Sequence, residues 1–183
     1  MVERETGEVQ DQTKEAAREE PTAMKDNANG DRDNPGGIAV IPPYIYLGTL
    51  LLGLLLDRKL PAPLLPRGMA RLVGWPVLGG GITLAVWFLR TMRHAGTSYE
   101  LDKPASRLVT NGPFRYSRNP AYVSFTMIYA GIASLKNSLW PILLLPIVLS
   151  YIQYRIIGAE ERYLERRFGE EYLSYKSRVR RWI

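Results

Sequence analysis

The chain contains no cysteine and only one histidine, His94. Disulfides, zinc–thiolate centres and thiol nucleophiles are thereby excluded. A histidine-based metal site or catalytic triad is left without partners, and no metal is expected. Bulky apolar residues are nearly missing from the first 37 positions, where ten acidic residues stand against five basic ones. A stretch of that composition cannot bury enough surface to offset the entropy of ordering it, so residues 1–37 read as a disordered acidic tail. The tail also lacks the apolar centre of a cleaved signal peptide.

The rest of the chain is the reverse. The overall formal charge is +6, and setting aside the tail's −5 leaves +11 on residues 38–183, a body both basic and strongly apolar. That pairing points to a membrane and its anionic lipids, not to nucleic acid. Four apolar runs, about 38–56, 72–89, 121–134 and 139–158, approach the roughly 20 residues that cross a bilayer, the third being short. A soluble bundle is the weaker reading, because the run from Leu139 to Leu149 offers no polar face. The expected fold is therefore all-α: a polytopic membrane domain over 38–183 with four transmembrane helices, a loop at 90–120 and an amphipathic interfacial helix over 159–182.

Lysine and arginine counts orient it. Six fall in the 90–120 loop, eight from Arg155 onward and five in the tail, against four between Asp57 and Arg71 plus Lys136. The positive-inside bias places the loop and both termini in the cytoplasm, as in a multi-pass protein of the plasma (inner) membrane. Pro42-Pro43, Pro76, Pro141 and Pro146 suggest kinked or broken spans. Gly79-Gly80-Gly81 lies inside an apolar run and reads as close helix packing, not as a phosphate loop. Past Arg155, Ile157, Leu164, Phe168, Tyr172, Val179 and Trp182 recur at helical spacings of 7, 4, 4, 7 and 3. This is an apolar stripe with a basic opposite face, bent at Gly169.

Two segments carry the chemistry. The first is Gly112-Pro113-Phe114-Arg115-Tyr116-Ser117-Arg118-Asn119-Pro120-Ala121-Tyr122, at the mouth of the third run. Asparagine is a favoured N-cap and proline a favoured first helical residue, so the third span begins at Asn119-Pro120. A helix N-terminus with Arg115 and Arg118 beside it suits a carboxylate or phosphate. The second segment is Glu160-Glu161, just after the fourth run. Helical spacing sets both acids along the border of the apolar seam, where they need partners. A plain surface alternative pairs them with Arg162, Arg166 or Arg167. A hairpin of the third and fourth spans brings the two segments together at one water–lipid boundary. The many tyrosines read mainly as an interfacial belt, and His94 as a loop residue.

Taken together, these segments resemble the isoprenylcysteine carboxyl methyltransferase and phospholipid methyltransferase group of integral membrane enzymes. The resemblance rests on Leu108-Val109-Thr110-Asn111-Gly112-Pro113-Phe114-Arg115, Arg118-Asn119-Pro120-Ala121-Tyr122, Glu160-Glu161, and Phe168-Gly169-Glu170-Glu171-Tyr172 with Tyr175 and Arg178, from about Arg90 onward. It implies S-adenosylmethionine as cofactor, held at the cytosolic boundary by Leu108, Val109, Phe114, Arg118, Asn119, Pro120, Ala121, Tyr122 and Glu160. It implies a lipophilic acceptor, which could be a prenylcysteine-type carboxylate, a phospholipid amine or a small lipophile. Glu161 and Arg155 are the residues expected to act at the reaction. Asn119 stands where better-known members have histidine, so that position can hydrogen-bond but not relay a proton. Ile156 stands where the eukaryotic prenylcysteine enzymes have a substrate-binding arginine, with Arg155 one position off. Competing readings are an NADPH-dependent sterol- or steroid-type membrane reductase and a non-catalytic module that binds anionic lipid.

Overall fold

The computed structural model describes residues 42–96 and 107–183. The acidic tail, the start of the first apolar run and residues 97–106 of the loop lie outside the described residues. Among the described residues the architecture is all-α: α1 (Pro42–Lys59), α2 (Arg67–His94), a 3₁₀ turn (Gly112–Arg115), α3 (Pro120–Leu135), α4 (Leu139–Tyr151), a π-helical segment (Ile152–Ile157), α5 (Gly158–Phe168) and α6 (Glu170–Arg178). Two helices are long and apolar enough to cross a bilayer, Gly68–His94 and the continuous Leu139–Phe168, while Pro120–Leu135 is apolar but shorter.

Several boundaries differ from those expected. The second helix runs to His94, so His94 sits on its last turn, with the ring Nδ1 2.7 Å from the Arg90 carbonyl, and is not a loop residue. Pro76 and Pro146 lie inside α2 and α4 without breaking either helix. The helix of the fourth apolar run does not end with that run near residue 158 but continues through the π-helical segment into the polar α5. The helix expected over 159–182 is two helices, parted at Gly169, whose φ of 51° suits a residue without a Cβ. It ends at Arg178, and Val179 is extended.

Packing follows from side-chain size. Within the α2–α3 pair, a Cβ on Gly131 would fall 2.6 Å from the Leu78 backbone nitrogen, and one on Gly81 would fall 2.9 Å from that of Ile128. Gly80 likewise meets Met127. Gly80 and Gly81 thus do the close packing that the run's apolar setting implied, while Gly79 meets nothing within 4 Å. The core gathers Tyr46 and Leu50 of α1, Tyr122 and Tyr129 of α3, and Val148, Ile152, Ile156 and Ile157 of the long helix. Its buried hydroxyls are satisfied, as burial requires: Tyr129 donates to the Pro141 carbonyl at 2.9 Å, and Tyr46 pairs with Thr126 at 3.0 Å.

The two short connections meet at one end of the bundle. Asn137, in the left-handed region at φ 53°, hydrogen-bonds Leu65 through both ends of its amide at 2.8 and 2.9 Å. Nearby, Leu139 N–H donates to the Ala62 carbonyl at 2.9 Å. The loop before α3 and the helices after the π-helical segment lie at the other end. Leu72, Trp75, Leu143 and Ile147 stand more than half exposed on the helix exteriors, an apolar surface of the kind that lipid tails cover.

Candidate functional site

The entrance to α3 is shaped by steric necessity. Gly112 has φ 58°, and a Cβ there would fall 2.5 Å from the Thr91 hydroxyl at the end of α2. The following 3₁₀ turn sets Phe114 beside Phe88, with ring centroids 5.8 Å apart, and Tyr116 beside Trp87 at 6.0 Å. Tyr175 of α6 donates to the Phe114 carbonyl at 2.8 Å. Burial pushes that hydroxyl up to about 12, against the pull of the Arg118 charge, so Tyr175 remains a donor.

Helix α3 begins at Pro120 as its sequence predicts, yet the Asn119 side chain does not cap it. Its amide instead donates to the Arg181 carbonyl at 2.9 Å, and the Ser117 hydroxyl reaches the same carbonyl at 3.4 Å. Arg118 N–H donates to the Arg180 carbonyl at 3.0 Å. Asparagine was a sound expectation for a cap, but here a nearby chain segment with a free carbonyl competes for it and wins.

The carboxylate pair divides. Glu161 is buried and takes two arginines: Arg118 Nη2 at 3.1 Å on one oxygen, and Arg181 through Nε at 3.0 Å and Nη2 at 2.6 Å. This is a forked, charge-assisted arrangement. It raises the Arg181 guanidinium's hold on its proton, through the hydrogen bond to Glu161. Burial, and then the Glu161 charge, keep the Tyr172 phenol beside it protonated. Glu160, half-buried, receives instead the Tyr122 hydroxyl at a long 3.4 Å. The surface alternative for the pair is therefore not what forms. Arg162, Arg166 and Arg167 lie on the same helix, whereas the partners of Glu161 come from other parts of the chain. The π-helical segment contributes to this: its wider turn changes the phase of every later residue, and such turns recur at functional sites.

Arg118 is left incomplete. Its side chain is 9% exposed, its Nη2 is on Glu161, and among the described residues nothing pairs with its buried Nε or Nη1. Buried polar groups rarely stay so. Two guanidinium groups share the one Glu161 carboxylate.

The structure thus brings together Arg118, Asn119, Tyr122, Glu160 and Glu161. Pro120 and Ala121 form the first turn of α3 between them. Leu108 and Val109 are half-buried just before the 3₁₀ turn. Arg155 is exposed on the π-helical segment, and no described contact carries it to the carboxylate pair. Arg181 was not singled out from the sequence. Its only local signal is membership of a basic run, Arg178 to Arg181, which does not say what it will meet.

Along α3, Val123, Thr126 and Met127 line an open, mostly apolar cavity of about 350 Å³ together with Leu149 and Gln153 of the fourth run and Trp182-Ile183. Trp182 Nε1 donates to Gln153 Oε1 across its edge at 2.9 Å.

The sequence model of the phospholipid methyltransferase family matches residues 69–171, more than half of the chain. An uncharacterized protein of Haemophilus influenzae is 41% identical over 63 residues, which is 34% of this chain and 98% of that relative. No solved structure matches.

Proposed function

The chain belongs to the phospholipid methyltransferase family, and we propose that it transfers a methyl group from S-adenosylmethionine to a lipophilic acceptor at a membrane surface. The observation that carries this reading is Arg118: a buried guanidinium with two nitrogens, Nε and Nη1, unpaired among the described residues, one residue before Asn119 and bonded to Glu161. It supplies what an amino-acid carboxylate needs.

In this reading, Arg118 binds the donor's carboxylate. Glu160, whose described partner is a single long bond from Tyr122, accepts from the donor's hydroxyl or ammonium groups. Phe114 and the Leu108-Val109 stretch form the apolar side. Glu161, with both oxygens engaged by arginines, sets the position of Arg118. Bound S-adenosylmethionine supplies a methyl group already activated on a sulfonium, so the chain's own task is alignment and exclusion of water. No protein nucleophile is called for, in keeping with a chain that has no cysteine. For an amine acceptor, Glu160 is the carboxylate placed to take the released proton.

The cavity between α3 and the fourth run takes the acceptor's apolar part, since Thr126 on its wall lies one helical turn from Tyr122 and donates to its carbonyl at 2.8 Å. Arg155, exposed nearby on the π-helical segment, meets the acceptor's anionic headgroup at the membrane surface. The remaining two apolar helices, α1 and α3, complete four spans, with the site on the cytosolic side.

The test is heat protection and label transfer. The purified protein is expected to be stabilised by S-adenosylhomocysteine and not by NADPH, and membranes given a labelled methyl donor are expected to place label in lipid. Stabilisation by NADPH alone, or no transfer to any lipophilic molecule, overturns the reading.

A further inference from the structure

Residues 179–183 follow the last helix and lie beyond the stretch that the family model matches. Nevertheless, much of the site is tied through them. The Arg180 carbonyl holds Arg118 N–H, the Arg181 carbonyl holds Asn119 and Ser117, the Arg181 guanidinium forks onto Glu161, and Trp182 bonds Gln153. The segment straps the α3 entrance to the helix that carries the carboxylates.

We propose that Arg181 is a positioning residue for the methyl-donor site, acting by keeping Glu161 from taking up the whole of Arg118. The inference rests on the proposed function. Its physical basis is competition for N–H groups. Arg118 contacts Glu161 through Nη2 alone, on the oxygen that also accepts from Arg181 Nε, while Arg181 Nη2 occupies the other oxygen. An unoccupied carboxylate draws an arginine into a two-point pair. With Arg181 gone, Glu161 pulls Arg118 into that pair, and Nε or Nη1, the groups offered to the ligand, is consumed. Arg181 itself is one-third exposed on its side chain and touches no ligand in this account.

The experiment measures the dissociation constant of S-adenosylhomocysteine by calorimetry for the full chain in detergent. Arg181→Ala is expected to weaken binding about tenfold or more, the equivalent of one charge-assisted hydrogen bond. Arg181→Lys, which keeps the charge but loses the fork, is expected to fall between it and the wild type. The decisive comparison uses 5′-methylthioadenosine, which lacks the donor's amino-acid carboxylate. Because Arg181 acts only through the groups that Arg118 offers to that carboxylate, Arg181→Ala is expected to leave the affinity for 5′-methylthioadenosine unchanged. A merely structural role predicts equal weakening of both ligands.

Affinity for S-adenosylhomocysteine unchanged in Arg181→Ala overturns this inference and leaves the proposed function standing, as does equal weakening of S-adenosylhomocysteine and 5′-methylthioadenosine. Should Arg181→Ala not melt cooperatively, Arg181→Lys alone decides, and wild-type affinity there overturns the inference. A wild-type chain that binds no S-adenosylhomocysteine overturns both.

Discussion

Glu161 is gripped by Arg181 through two nitrogens, at 3.0 and 2.6 Å, from twenty residues further along the chain. The adjacent Glu160 meets only a tyrosine hydroxyl in its described contacts. Two neighbouring acids of the same type thus have different work. Glu161 ties α5 to the α3 entrance and the C-terminal segment, while in the proposed function Glu160 is the acid left for a ligand.

Glu161→Gln leaves Arg118 and Arg181 without their shared counter-charge, in a setting where the carboxylate is 8% exposed. Removing one member of a buried ion pair costs on the order of 3 kcal/mol, so the variant is expected to melt well below the wild type in detergent. An unchanged melting temperature counts against the buried cluster.

Glu160→Gln removes little that holds the fold, since the Tyr122 bond is long. Its melting temperature is expected to stay close to wild type while affinity for S-adenosylhomocysteine falls about tenfold. Calorimetry and thermal unfolding on one preparation check both. Loss of stability without loss of affinity contradicts the assignment.

Arg118→Gln discriminates the ligand group that is recognised. Loss of a hydrogen bond to a charged partner weakens S-adenosylhomocysteine about 10- to 100-fold. 5′-Methylthioadenosine, which lacks the amino-acid carboxylate, is expected to bind wild type and variant alike. Equal weakening of both ligands would show that Arg118 does not hold the carboxylate.

Trp182 walls the cavity of about 350 Å³ and bonds Gln153. Trp182→Ala is expected to widen the range of lipid acceptors that take up label, whereas Trp182→Phe keeps the wall and the range. An acceptor profile unchanged in Trp182→Ala removes the cavity from the acceptor's path.

Gly131→Leu forces a branched side chain where a single Cβ already lies 2.6 Å from the Leu78 backbone. Overpacking of that kind costs about 1–3 kcal/mol. The variant is expected to unfold at lower temperature, whereas Gly79→Ala, which meets nothing within 4 Å, is not.

Much of this molecule could be read along the chain because its causes are local. An apolar run long enough for a bilayer declares a helix whatever surrounds it, and α2 and the Leu139–Phe168 helix follow such runs. Pro120 opens α3 because a fixed φ and a missing N–H suit a first helical residue. The glycine run, set among apolar neighbours, had only close packing open to it. The juxtaposition of the Arg118-Asn119 loop and the carboxylate pair was also legible, since a hairpin of two helices returns the chain to the end it left.

What the chain could not declare is who pairs with whom once the ends meet. Asn119 carries a capping side chain, yet a carbonyl from Arg181 lies closer to its need. Glu161 has arginines one, five and six residues on along its own helix, yet it binds two from other parts of the chain, after a π-helical segment has altered its phase. Local rules fix the helices because backbone hydrogen bonds span four residues. Side-chain pairing at a buried site is fixed by desolvation and by which groups arrive there, and only the folded arrangement decides that.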